Sequence, residues 1–220
     1  MTTKFIAIEG VDSVGKETQT KLLKEWLGTF LDSKNIHTYS YPDYSSKTGK
    51  LVRSYLNGEF GDAVTMDPRL SGALYSLDRV KAKGEFDNLI GAGDQVVLLD
   101  RYVHSNCALQ GAKIEEAAER EAFYRHCESL EFLDLGLPRP DMIIFLDADP
   151  ETAQELMKKR TGQDRDQHES NLPFLKAAHR NYKELATDDS WVTIPCIAGG
   201  EMRSIEAISL NIRAAVKQLF

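Results

Sequence analysis

The stretch Phe5-Ile-Ala-Ile-Glu-Gly10-Val-Asp-Ser-Val-Gly15-Lys16-Glu17-Thr18 decides how the chain folds. Phe5–Glu9 is a short apolar run, the pattern of a strand buried on both faces. Gly10–Gly15 reads as a loop, and from Lys16 the apolar residues Leu22, Leu23, Trp26, Leu27 and Phe30 keep a helical period. Between a first strand and a first helix, G-x₄-G-K predicts a phosphate loop. Backbone N–H groups line a concave nest there, and the helix points its positive end at the anion. Gly10 and Gly15 permit the tight backbone, and Lys16 places a point charge on the β/γ-phosphates. Glu17 departs from the pattern, standing where Ser or Thr ordinarily ligates Mg²⁺, with Thr18 next.

Outward from this stretch, short β-rich runs alternate with helical patterns. Strands are predicted at His37–Tyr41, Gln95–Asp100, Met142–Asp147 and Trp191–Ile197. Helices are predicted over Ser45–Leu56, Asp67–Ile90 and Ile114–Leu133, from Pro150 to about Lys159, and then to about Ala186. A closing helix carries Ile205, Ile208, Ile212, Val216 and Leu219 on one face. Continuous apolar strands alternating with helices imply a parallel sheet between helices, an α/β three-layer architecture of about five strands. The 220 residues suit a single domain, 1–220, with no repeat or linker. Thr161–Glu169 contains no apolar residue and is expected to be exposed and mobile.

Composition narrows the function. With 27 basic against 34 acidic residues the net charge is −7, which disfavours bulk nucleic-acid binding. Cys107, Cys127 and Cys196 are odd in number and lack metal-ligand spacing, which points to reduced thiols. The longest apolar run, Met142–Leu146, is too short to span a bilayer, and the first residues show no signal-peptide pattern. A cytoplasmic protein without a membrane partner is expected. Five histidines form no metal spacing and are expected to be structural. Asp100 ends a buried strand at the carboxyl edge, where ligands bind in open sheets, and suits Mg²⁺ or its waters. Arg101 is a bidentate donor for a phosphoryl group, and Arg79 is a second candidate for an acceptor phosphate.

Several segments together resemble the thymidylate kinases. The opening Phe5–Lys16 is similar to their E-G-x-D/E loop, and Tyr41-Pro42-Asp43-Tyr44 to their F-P-x-Y segment. Leu77-Asp78-Arg79 resembles a helix motif ending in D/N-R. Asp100-Arg101-Tyr102 with Ser105-Asn106 resembles DR(Y/H)xxS, and Gly136–Asp141 resembles G-L-P-x-P-D. The resemblance implies the P-loop NTPase fold with a short lid at about 158–170, and transfer of the γ-phosphoryl group of ATP to dTMP with Mg²⁺, in a homodimer. It implies that Gly10, Ser13, Val14, Gly15, Lys16, Glu17 and Thr18 hold ATP. It places Tyr41, Pro42, Tyr44, Tyr75, Arg79, Arg101, Ser105, Asn106 and Asp12 around dTMP. Within that set Tyr75 stacks on the base, Asn106 reads its edge, Pro42 borders the methyl pocket, and Asp12 lies near the sugar and metal.

Some thymidylate kinases carry a catalytic arginine in the phosphate loop, directly after its Asp; that position here is Ser13. The resemblance is therefore to the type whose arginine sits in the lid, with Arg160 and Arg165 as candidates and Arg165 preferred. Lys16, Arg101, a lid arginine and Asp12 form the expected catalytic set. Asp166, His168 and Glu169 fall where the lid turns back over the nucleotide. Glu17 is expected to face solvent, leaving Thr18, Asp12 or Asp100 to serve the metal. Leu109 replaces an aromatic residue near the sugar, which keeps a dUMP/UMP or broader monophosphate kinase open as an alternative. A non-catalytic nucleotide-binding module is the third possibility, motivated by Glu17.

Overall fold

A computed structural model describes residues 2–153, 167–168 and 170–220. Five parallel strands run in the order β2-β3-β1-β4-β5: β1 Lys4–Glu9, β2 Ile36–Ser40, β3 Val96–Asp100, β4 Met142–Asp147 and β5 Trp191–Pro195. The centre of the sheet is β1, with Ile8 opposite Asp100 on one side and Ile144 on the other. Ile6, Ala7 and Ile8 are fully buried, as are Leu98, Leu99 and Ile144. This is why the inner strands read as unbroken apolar runs rather than alternating ones. Helices flank the sheet in the three-layer P-loop NTPase arrangement. Helix α1, Lys16–Leu27, packs with the C-terminal helix, while α5, Val103–Gly111, packs against the helix Leu172–Leu185. No helix among the described residues is long and apolar enough to cross a membrane.

Several boundaries differ from those expected. Helix α1 stops at Gly28, leaving Phe30 exposed. Helix α2 is Lys47–Leu56, capped by Ser46, whose side chain accepts from the Gly49 N–H. The helix predicted over Asp67–Ile90 is two: α3, Pro68–Val80, capped by Asp67, and α4, Lys83–Ala92. Ala82 N–H donates to Arg79 O, turning the axis so that Phe86 meets Phe5 edge-on at 5.4 Å. Neither Gly nor Pro marks that break.

Helix α5 escaped the periodicity because all nine of its residues are buried, so it shows no amphipathic face. The long helix Ile114–Leu133 is α6, Ala117–Glu128, followed by a π-helical turn at Ser129–Asp134. Asp149 caps a helix beginning at Pro150, its carboxylate accepting from the Glu151 and Thr152 N–H groups. Its predicted continuation to Lys159 lies outside the described residues. Helix α7, Leu172–Leu185, is capped by Asn171. The last predicted strand stops at Pro195, and Ile197–Ala198 pairs with Glu201–Met202 (β6 and β7) around Gly199-Gly200. Both glycines have positive φ, as a tight hairpin turn requires. The closing helix is α8, Ile205–Val216; Ile208, Ile212 and Val216 are buried, whereas Ile205 is exposed.

Candidate active site

The phosphate loop forms between β1 and α1. Gly15 caps α1 in the left-handed region, φ 91°, and no side chain caps the first-turn N–H groups. Those donors are left for an anion. Gly10 has φ 148°, and a Cβ there would stand 2.9 Å from Leu146 O, so β4 sets the floor of the loop. Ser13 also has a left-handed φ, and Val14 is buried beneath the turn. Lys16 folds back over the loop; its Nζ donates to Val11 O at 2.7 Å and lies 3.9 Å from Asp12. Burial, with Arg101 adding to it, lowers the Lys16 pKa to about 8. Glu17 is exposed, as expected, and Thr18 occupies the first turn of α1 half-buried.

Asp100 ends β3 beside this loop. Burial raises its carboxyl pKa, against the pull of Lys16 and Arg101. The next residue turns back with φ 65°, and its guanidinium reaches the loop. Arg101 donates to the Asp12 carboxylate and to Gly10 O at 3.2 Å. Burial opposes ionisation of Asp12, but Arg101 and Lys16 outweigh it and hold its pKa below the usual carboxylate value. Glu9, fully buried at the end of β1, organises the turn. It accepts from Tyr102 N–H, Ser105 N–H, Ser105 Oγ at 2.5 Å and Tyr182 OH at 3.1 Å. Sequence reasoning gave Glu9 no role; its signal was an acidic residue ending an otherwise apolar strand.

Beyond Arg101 lies a narrow cleft of about 10 Å³, lined by Tyr41, Pro42, Tyr75, Arg79, Arg101, Ser105, Asn106, Leu109 and Gln110. Seven of these were expected to surround an acceptor nucleotide. Asp12, which pairs with Arg101, and Tyr44 are not among them; Tyr44 lines the neighbouring pocket, with Arg53 over its ring at 4.3 Å. The Tyr41–Pro42 peptide is cis. Asp78, buried on α3, ties the following backbone to that helix by accepting from Asp43 N–H at 2.8 Å, Thr48 Oγ1 at 2.7 Å and Ser46 Oγ at 3.0 Å. Tyr75 lines the cleft and packs edge-on against Tyr55 at 6.1 Å, so it serves both core and site.

Arg79 does not pair with Asp78. It forms a fully buried bidentate pair with Glu131, both bonds at 2.6 Å. Burial disfavours its charge, but the facing carboxylate overrides that and raises its pKa. Among the described residues, three atoms of the cleft side chains find no hydrogen-bond partner: Tyr41 OH, Asn106 Oδ1 and Gln110 Nε2. The Asn106 orientation follows from its partner, a carbonyl that can only accept, and that of Gln110 is assigned from the surrounding hydroxyls. Gln110 Oε1 accepts from Ser71 Oγ at 2.7 Å, and Asn106 Nδ2 donates to Gly72 O at 3.1 Å. Gln110 had not been singled out in the sequence, since a glutamine on a helix without periodicity carries no local signal.

Arg160, Arg165, Asp166 and Glu169 lie outside the described residues, as does most of the expected lid. Its end, Gln167-His168, is described and is not exposed as expected at His168. The His168 ring is buried against Phe174 at 4.3 Å, and its Nε2 lies 3.1 Å from Tyr55 OH. Burial lowers its pKa to about 4. No group of three His, Cys, Asp or Glu side chains able to hold a metal occurs among the described residues. Asp100 shares a pocket with Glu17, whose charge adds to the rise in its pKa, and Thr18 is not in that lining. The expected donors Asp12, Asp100 and Thr18 are hard oxygens. They fit Mg²⁺, which takes one or two carboxylates and completes its shell with water and phosphate.

A family model for thymidylate kinase matches residues 8–200. The chain is 34% identical over 188 residues to the thymidylate kinase of Mycobacterium tuberculosis, covering 83% of this chain and 85% of that protein. It is 31% identical over 210 residues to that of Dictyostelium discoideum, covering 94% and 82%. The fold is similar to the thymidylate kinase structure from Candida albicans, with a TM-score of 0.73, 24% identity, and coverage of 99% of this chain and 92% of that one.

Proposed function

The chain belongs to the thymidylate kinase family, and from that premise we propose that it transfers the γ-phosphoryl group of ATP to dTMP, giving ADP and dTDP. The observation that carries the reading is Arg101. It joins the phosphate loop, through Asp12 and Gly10 O, to the cleft that holds Arg79 and the unpaired amides. A donor polyphosphate on the loop and an acceptor phosphate between Arg79 and Arg101 then face each other across one guanidinium. The free acceptor Asn106 Oδ1 and free donor Gln110 Nε2 complement the N3–H and carbonyl of a thymine or uracil edge. Cytosine, whose N3 is an acceptor, meets like against like.

Phosphoryl transfer of this kind is positioning and charge stabilisation, since the acceptor oxygen is already nucleophilic. Lys16 and the first-turn N–H groups of α1 hold the donor. Arg79 and Arg101 orient the acceptor, and Asp12 fixes Arg101. Asp100, Thr18 or Asp12 would hold Mg²⁺, which would supply neutralisation of phosphate charge. A lid arginine, Arg165 or Arg160, completes the proposal, as do a homodimer and a cytoplasmic location.

A panel of nucleoside monophosphates with ATP and Mg²⁺ tests this. dTMP should be the best acceptor, with dUMP weaker and dCMP and dAMP poor. A preference for UMP or dUMP would move the assignment to the broader acceptor class, which Leu109 in the cleft leaves open. Absence of transfer to every monophosphate despite ATP binding would identify a non-catalytic module.

A further inference from the structure

Glu131 belongs to none of the phosphate, arginine or proline motifs, yet its carboxylate bonds to two residues that line the acceptor cleft, Arg79 and Asn106. It sits in the π-helical turn Ser129–Asp134 and is completely buried. The wider turn, marked by Leu135 N–H donating to Leu130 O at 2.9 Å, carries it inward; such turns concentrate at functional sites. Its Oε2 accepts from Arg79 Nε at 2.6 Å. Its Oε1 accepts from Arg79 NH2 at 2.6 Å, Ser76 Oγ at 3.0 Å and, more weakly, Asn106 Nδ2 at 3.4 Å.

Two consequences follow from hydrogen-bond chemistry. The Glu131 carboxylate occupies the Nε/NH2 edge of the Arg79 guanidinium, which leaves NH1 outside the pair and available to an acceptor nucleotide. By accepting from Asn106 Nδ2, together with Gly72 O, it also fixes the amide so that Asn106 Oδ1 is the atom left buried and unpaired among the described residues. We propose that Glu131 is the positioning residue of the acceptor site, fixing both the buried arginine and the asparagine that line the cleft through one carboxylate. This rests on Arg79 and Asn106 serving the acceptor nucleotide. A carboxylate present only to neutralise a buried arginine would need no bond to Asn106, and its loss would lower stability without changing base choice.

Glu131→Gln is isosteric but breaks the bidentate pair. Steady-state kinetics should show the KM for dTMP raised at least ten-fold, with the KM for ATP within two-fold of wild type. The preference for dTMP over dCMP in kcat/KM should fall about ten-fold. In an Asn106→Ala background the same substitution should cause no further loss of that preference. If the Gln variant melts too low for kinetics, Glu131→Asp, which keeps the charge but withdraws it by one methylene, should show the same pattern at smaller amplitude.

The inference is overturned if a folded Glu131 variant keeps wild-type dTMP KM and base preference. It is overturned equally if both KM values move together, or if the losses from Glu131→Gln and Asn106→Ala multiply independently. Failure of the underlying assignment looks different. Arg79→Lys and Asn106→Ala would then each keep wild-type dTMP kinetics, which removes the acceptor site and this inference with it.

Discussion

Lys16 carries its charge at a cost to folding, and replacing it with Met separates that cost from its use. The side chain is buried, with one short hydrogen bond to Val11 O and an ion pair to Asp12 at 3.9 Å. Its pKa of about 8, against 10.5 for the free side chain, corresponds to about 3 kcal/mol of folding free energy withheld at pH 7. Lys16→Met removes that penalty. It also leaves Val11 O without its donor, which costs about 1 kcal/mol. The expected outcome is a variant more stable by about 1–2 kcal/mol at pH 7, melting higher by roughly 2–8 °C.

The pH dependence gives the sign. Between about pH 8 and 10.5 the unfolded chain holds the Lys16 proton and the folded one does not, so wild-type stability rises with pH. The advantage of Met should be full below pH 8 and gone above 10.5. Phosphoryl transfer should meanwhile fall by a factor of about 10²–10³ or more, as for loss of a donor to transition-state charge. Urea unfolding of both proteins at pH 7 and pH 10, with single-turnover transfer at pH 7, reads all three quantities. A Met variant less stable than wild type at pH 7, or an advantage equal at both pH values, would refute the reasoning.

Three further outcomes are expected. In the free enzyme, kcat/KM for ATP should decline with unit slope above about pH 8 as Lys16 loses its proton, and a profile flat to pH 9.5 would contradict its role. Gly15→Ala should cost about 1 kcal/mol, because its added Cβ meets nothing within 4 Å and only the left-handed backbone is penalised. Gly10→Ala, 2.9 Å from Leu146 O, should cost clearly more in the same urea titration. Ser71→Ala removes the shorter of two bonds to Gln110 Oε1, leaving only Tyr55 OH at 3.3 Å to hold the amide; the dTMP-over-dCMP preference should fall several-fold, measured as a ratio of kcat/KM values.

The sequence by itself determined the scaffold and the donor site, because both are written in local order. A buried strand is legible as an apolar run, and a phosphate loop as glycines and a lysine between strand and helix. The interaction that builds that loop, Gly15 capping α1, lies within a few residues of chain. The motif segments likewise located Arg79, Arg101, Asn106 and Tyr75 in the resemblance, and the structure gathers them in one cleft.

What only the tertiary structure decided are the partners of those side chains. Arg79 faces Glu131, 52 residues away, rather than its neighbour Asp78. Glu9 holds Ser105, 96 residues away. Helix α5 left no trace in the sequence, since a helix buried on every side has no amphipathic period. The free Oδ1 of Asn106 and Nε2 of Gln110 are set by hydrogen bonds to Gly72, Glu131 and Ser71, from elements distant in the chain. Residue order specifies which groups are present. Which atom of each remains unpaired, and so available to a ligand, depends on contacts that close only when the sheet and its helices pack.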